Sequence, residues 1–218
     1  MPLRLPIIRR LKSPDLFGAI DRLPAPGTPA SERTFEVLNP SSGEVLAVLP
    51  DMGVKETRAA IDKAYTAQPR WAALPARERS DVLWRWHELI MDHADDLAAI
   101  LTAEMGKPFA EAKSEVSHAA AYLQWYAEEA NRIYGETIPP PSIDRRMMVI
   151  KQPIGVVGTI TPWNFPASMV ARKISPALAA GCAIVLKPAE QTPLVAGAMF
   201  ALAHQAGFPD GVINLVYA

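Results

Sequence analysis

Apolar positions repeat with two different periods along this chain, and the change falls near residue 154. In Phe35–Pro50 (FEVLNPSSGEVLAVLP), apolar runs flank a polar stretch at Asn39–Gly43, which predicts two short strands joined by a turn. Helical spacing then takes over. Val54 to Gln68 reads as one helix, with Pro69 expected to end it. From Glu78 to Met105 the apolar face Leu83, Trp86, Ile90, Ala94, Leu97 and Leu101 keeps 3–4 spacing and predicts a single long helix. Gly106 and Pro108 stand where a helix C-terminus wants them. A second long helix is expected from about Pro108 to Tyr134, with its face at Val116, Ala119, Leu123, Tyr126, Ala130 and Ile133. Its aromatics Tyr122, Trp125 and Tyr126 read as core packing.

A proline-rich link, IPPPS at 138–142, leads into an extended segment, DRRMMVIKQPIG. Beyond it strands and helices alternate. Ile154–Ile160, Ala183–Leu186 and Val212–Val216 read as strands, Pro166–Ala180 and Pro193–Ala206 as helices. Strands and helices alternating at these lengths imply a parallel sheet with right-handed crossovers. The expected class is α/β, with an incomplete Rossmann-like sheet carrying helices on both faces. The expected organisation is an irregular, proline-rich arm over 1–34, a strand pair and helical part over 35–137, an extended link over 138–153, and half a dinucleotide-binding unit over 154–218.

Charge sharpens this division. The net charge is −1, so nothing favours nucleic acid or an anionic membrane. Only six charged residues (Lys151, Arg172, Lys173, Lys187, Glu190, Asp210) fall in 151–218, which suits elements covered on both sides. No apolar run approaches the ~20 residues of a membrane span. Prolines and paired arginines interrupt MPLRLPIIRRLK, so it does not read as a secretory signal. The expected location is the cytoplasm. One cysteine, Cys182, excludes an intrachain disulfide, and His87, His93, His118 and His204 fall at no metal-ligand spacing. No metal is expected.

In an open α/β sheet, ligands bind beyond the carboxyl ends of the strands. Two polar loops leave such ends here: TPWNFP (161–166) and KPAEQTP (187–193). Asn164 suits a helix cap or turn; equally, its amide could donate to a carbonyl oxygen gaining negative charge. Lys187 and Glu190 fit a solvated pair, or a pair hydrogen-bonding a ribose diol. No G-x-G-x-x-G occurs, so the ordinary Rossmann fingerprint is absent.

Taken together, TITPWNFP, ARKISPALAAGCAIVLKPAEQTPL, AEMGKPFAEAKSEV and GFPDGVINLV resemble the aldehyde dehydrogenase superfamily over nearly the whole chain from about residue 35. The resemblance implies the N-terminal part of that fold, with NAD or NADP as cofactor and a small aldehyde as substrate. It implies Asn164 in the oxyanion hole and Thr161, Pro162 and Trp163 along the dinucleotide cleft. Lys187 and Glu190 would lie at the adenosine ribose. The longer runs around these motifs look most like succinate-semialdehyde dehydrogenases. In those, Arg172 matches an arginine that holds the substrate carboxylate, although relatives acting on other small aldehydes carry it too, and a helix-surface arginine remains open. Glutarate semialdehyde or a neutral aldehyde is the alternative substrate. Glu190 accepts from a free 2′-hydroxyl and repels a 2′-phosphate, which favours NAD; Lys187 beside it offsets that repulsion.

The family's nucleophilic cysteine and its general-base glutamate match nothing here, since Cys182 sits at a structural position. The ending LVYA departs from the family's LVTG. The chain is therefore expected to be an N-terminal portion, inactive alone, that aggregates, self-associates or pairs with a C-terminal part. In this family segment 144–151 serves oligomerisation. The competing reading is a non-catalytic dinucleotide-binding or assembly fragment.

Overall fold

The computed structural model describes residues 11–13 and 33–218. The arm expected over 1–34 lies outside the described residues, except for 11–13, 33 and 34. The first strands, β1 (Thr34–Leu38) and β2 (Val45–Pro50), pair antiparallel. The Gly43 N–H closes their turn on the Asn39 carbonyl at 2.8 Å, with Gly43 at φ +71°. That left-handed conformation costs glycine little.

Four helices follow: α1 (Val54–Ala72), α2 (Ala76–Asp92), α3 (Ala94–Met105) and α4 (Phe109–Ala130). Three boundaries differ from the periodicity reading. Pro69 lies inside α1, which runs one turn further. The hydrogen bond that proline cannot make would have gone to the carbonyl of Tyr65, on a face where Tyr65 is 73% exposed and water can replace it. The extra turn is held by Trp71, which is fully buried and donates its indole N–H to the Leu178 carbonyl at 3.0 Å. The expected 78–105 helix breaks at His93, where the backbone reaches ψ 17°. The apolar stripe crosses the break without losing phase, because Leu83, Trp86, Ile90, Leu97 and Leu101 are all buried. Asp95 and Asp96 then open α3, at the end where the helix dipole favours anions. Helix α4 stops at Ala130, four residues short of Tyr134. One of its aromatics departs from the expected core packing: Trp125 is 60% exposed, while Tyr122 and Tyr126 pack against the core.

The segment expected to be simply extended contains half of a hairpin, β3 (Glu136–Ile138) against β4 (Met147–Val149), exposed on both strands. Gly135 starts it, since a Cβ there would collide with the Val149 carbonyl.

The parallel sheet has the order β5 (Val156–Ile160), β6 (Ala183–Lys187), β7 (Ile213–Leu215). Helices α5 (Pro166–Ala179) and α6 (Leu194–Ala206) make the two crossovers and pack on one another, while α1 packs on the same three strands from the other face. The charge-poor third is the most enclosed: β6 is buried up to Lys187, and α6 is buried on nearly every side. Such all-round apolarity belongs to a core helix.

Candidate functional site

The parallel register puts Ile160 beside Lys187, so both strands end at the same level and both loops leave the same edge of the sheet. The loops touch. The Thr161 N–H donates to the Lys187 carbonyl at 3.2 Å, and the Thr192 hydroxyl lies 3.5 Å from the Trp163 carbonyl. Thr161 is buried, whereas Pro162, Trp163 and Asn164 are exposed.

Contact between the loops does not make a single crevice. Asn164 and Arg172 line one cleft of about 610 Å³ together with Lys107, His118 and Tyr122. Lys187 and Glu190 line a second, of about 840 Å³, shared with Phe35, Asp51 and Glu104. Thr161, Pro162 and Trp163 line neither of the two. Four of the predicted residues are therefore split between two clefts, and the other three lie outside both.

Asn164 is not a helix cap. Phe165 occupies the N-cap position of α5, and among the described residues the Asn164 amide makes no hydrogen bond. The capping is done from a distance. Glu115, on α4, accepts the Ala167 and Ser168 N–H groups at 2.9 and 3.2 Å. Its other carboxylate oxygen pairs with the Lys107 ammonium, at side-chain exposures of 2% and 8%. Lys107 in turn donates to the Asn164 carbonyl at 3.2 Å and stands 4.3 Å from the Phe165 ring centroid. Arg172, exposed on α5, has no ion-pair partner among the described residues.

The second loop repeats the device. Glu104, the penultimate residue of α3, accepts the Leu194 and Val195 N–H groups at 2.6 and 2.9 Å and so caps α6. Among the described residues no cation pairs with it. Burial pushes its carboxyl up to about 8, against the two N–H bonds that favour the anion. Tyr217 is fully buried nearby, its hydroxyl without a hydrogen-bond partner among the described residues, and burial raises its pKa above the usual phenol value. With both helix N-termini occupied by glutamate carboxyl groups, neither offers a phosphate the docking site that dinucleotide folds often use. At the mouth of this cleft Lys187 and Glu190 pair at 3.1 Å, with side chains 31% and 53% exposed. Glu190's own backbone N–H and the Lys187 ammonium hold its carboxyl below the usual range.

Cys182 stands at the opposite edge of the sheet, just before β6, and is buried. No group of three potential metal-ligating side chains occurs among the described residues, nor is any of their helices long and apolar enough to cross a membrane.

The loop sequences and their placement at the strand ends agree with one family. Its sequence model, described as the aldehyde dehydrogenase family, matches residues 28–218. The chain belongs to the aldehyde dehydrogenase family. It is 70% identical over its whole length to a Sinorhizobium fredii protein named a probable succinate-semialdehyde dehydrogenase (NADP+), of which it covers 44%. It is 57% identical over 184 residues to a glutarate-semialdehyde dehydrogenase of Pseudomonas putida, covering 38% of that protein. Among solved structures, an Escherichia coli NADP-dependent enzyme superimposes with a TM-score of 0.86 at 54% identity, over 87% of this chain and 40% of that one. The chain thus spans less than half the length of the relatives it matches.

Glu104, Lys107 and Glu115 escaped the sequence reading. A faint signal existed, for Glu104 follows Leu101 by three residues and Glu115 precedes Ala119 by four. Both acids are in register with an apolar stripe, where a buried carboxylate demands a partner.

Proposed function

We propose that this chain supplies the aldehyde-binding wall and the adenosine-binding edge of an NAD(P)-dependent semialdehyde dehydrogenase, with succinate semialdehyde as substrate. The observation that carries the reading is the pairing, within one cleft, of a hydrogen-bond-free Asn164 amide with an Arg172 guanidinium that has no ion-pair partner among the described residues. Arg172 grips a carboxylate through two parallel N–H bonds. Asn164 donates to the aldehyde oxygen as it becomes an oxyanion, a contribution of about 3–4 kcal/mol. A semialdehyde acid has both groups. Succinate and glutarate semialdehydes, the substrates named for the relatives, differ by one methylene, and a fixed amide-to-guanidinium spacing separates such homologues by about 10–200-fold.

Lys187 and Glu190 suit the adenosine ribose, since an ammonium and a carboxylate at a strand end match the acceptors and donors of a diol. The cofactor's nicotinamide accepts the hydride. Glu190, held as the anion, opposes a 2′-phosphate, while Lys187 at 3.1 Å offsets that repulsion, so the pair serves NAD or NADP; NADP+ is the cofactor named for the Sinorhizobium relative. The attacking thiol is not Cys182. That residue is buried a whole strand away from Asn164, about 15 Å at ~3.3 Å per residue. These 218 residues alone therefore do not turn over aldehyde.

The test joins the 218 residues to the C-terminal length of the Sinorhizobium relative. The joined protein reduces cofactor with succinate semialdehyde, and the 218 residues alone do not. Arg172→Ala lowers kcat/KM for succinate semialdehyde about 100-fold, the worth of a charge-assisted contact, and leaves a neutral four-carbon aldehyde unaffected. Equal losses on both substrates would remove the carboxylate role.

A further inference from the structure

We propose that Lys107 and Glu115 act together as a positioning clamp that aims the Asn164 amide, a role that rests on the reading of Asn164 given above. The two side chains grip the loop from both ends. Lys107 holds the Asn164 carbonyl at 3.2 Å and covers the Phe165 ring at 4.3 Å. Glu115 holds the Ala167 and Ser168 N–H groups, and the Ser168 hydroxyl donates to the Glu115 carbonyl at 3.2 Å. The ion pair between them closes the frame, and burial keeps water from competing for either charge. Five residues, 164–168, are thereby tied to the start of α4 rather than to their own sheet.

Asn164 itself is exposed and, among the described residues, its amide makes no hydrogen bond, so the direction of that amide depends on how its backbone is held. An oxyanion donor works only if it is in place before charge develops. A displacement of about 1 Å in such a group costs on the order of 100-fold in rate. Neither clamp residue need touch the substrate; their effect passes through the Asn164 backbone.

A double-mutant cycle in the joined enzyme described above tests this. Asn164→Ala lowers kcat by about 100-fold. Lys107→Met lowers kcat by about 10-fold or more, with KM for the dinucleotide unchanged. In the Asn164→Ala background, Lys107→Met has no further effect on kcat, because the group it aims is gone. The Lys107→Met/Glu115→Gln double variant, which leaves no buried charge unpaired, gives the same pattern and serves if Lys107→Met does not fold. Multiplicative losses in kcat, or a Lys107→Met enzyme with normal kcat, overturn the clamp while leaving Asn164 in its role. An Asn164→Ala enzyme with normal kcat overturns both.

Discussion

Helices α5 and α6 enter the sheet in the same way, yet their entrances are built differently. Each receives a buried glutamate from the helical layer onto its first free N–H groups. At α5 the glutamate is neutralised by Lys107; at α6 no cation among the described residues pairs with Glu104 and its carboxyl is pushed up to about 8. The paired entrance carries the loop proposed to hold a reacting oxygen, and there the ion pair also braces the loop through the Asn164 carbonyl. The unpaired entrance sits behind the Lys187–Glu190 edge, where a change of protonation moves no reacting group.

The largest effect comes from unbalancing the paired side. Lys107→Met leaves Glu115 buried without its cation and should cost about 3–5 kcal/mol, read as a shift in urea midpoint. Lys107→Met/Glu115→Gln should recover most of it, and a single-variant loss under about 1 kcal/mol would contradict a desolvated pair.

The next effect is a pH slope on the unpaired side. Glu104 has a folded pKa of about 8 against an ordinary 4.5. The native state therefore binds this proton more tightly than the unfolded chain. Its contribution to stability is complete below about 4.5 and is lost as pH rises through about 8. Between pH 6 and 8.5 the loss is about 2.5 kcal/mol at ~1.36 kcal/mol per pKa unit. Glu104→Gln should remove that slope; parallel urea-midpoint profiles for the two proteins would show that Glu104 stays ionised.

The smallest effect is at the exposed Lys187–Glu190 pair. Glu190→Gln should alter stability by less than about 1 kcal/mol, while shifting the NAD to NADP ratio of kcat/KM in the joined enzyme toward NADP. A large stability loss with an unchanged ratio would make Glu190 structural.

Legibility in the sequence follows how local each cause is. The strands and crossovers of 154–218 could be read because short apolar runs alternate with helix-length segments, and each boundary carries a Gly or Pro within a few residues. The break at His93 could not, since the apolar stripe continues in phase across it. Pro69 misled because its missing hydrogen bond falls on a solvated face, while Trp71 finds its anchor 107 residues away. Trp125 was assigned to the core on residue type alone. Of the site, the exposed loop residues were visible as motifs. The residues that brace them were not, because Glu115 and Ala167 are 52 positions apart and Glu104 and Leu194 are 90 apart.

The donors of α1 and α2 bear on how this protein is made. Trp71, Arg79 and Trp86 give their side-chain hydrogen bonds to the Leu178, Ala179 and Met199 carbonyls, 107, 100 and 113 residues later. At a synthesis rate of about 5–20 residues per second, each waits on the order of 5–20 s beyond the ribosome before its acceptor has been polymerised. During that interval the two indole rings lack the surroundings that will enclose them, while Arg79 already has the Ala72 and Leu74 carbonyls, so the nascent helical layer is the stage at which a chaperone that shields aromatic surface has most to hold.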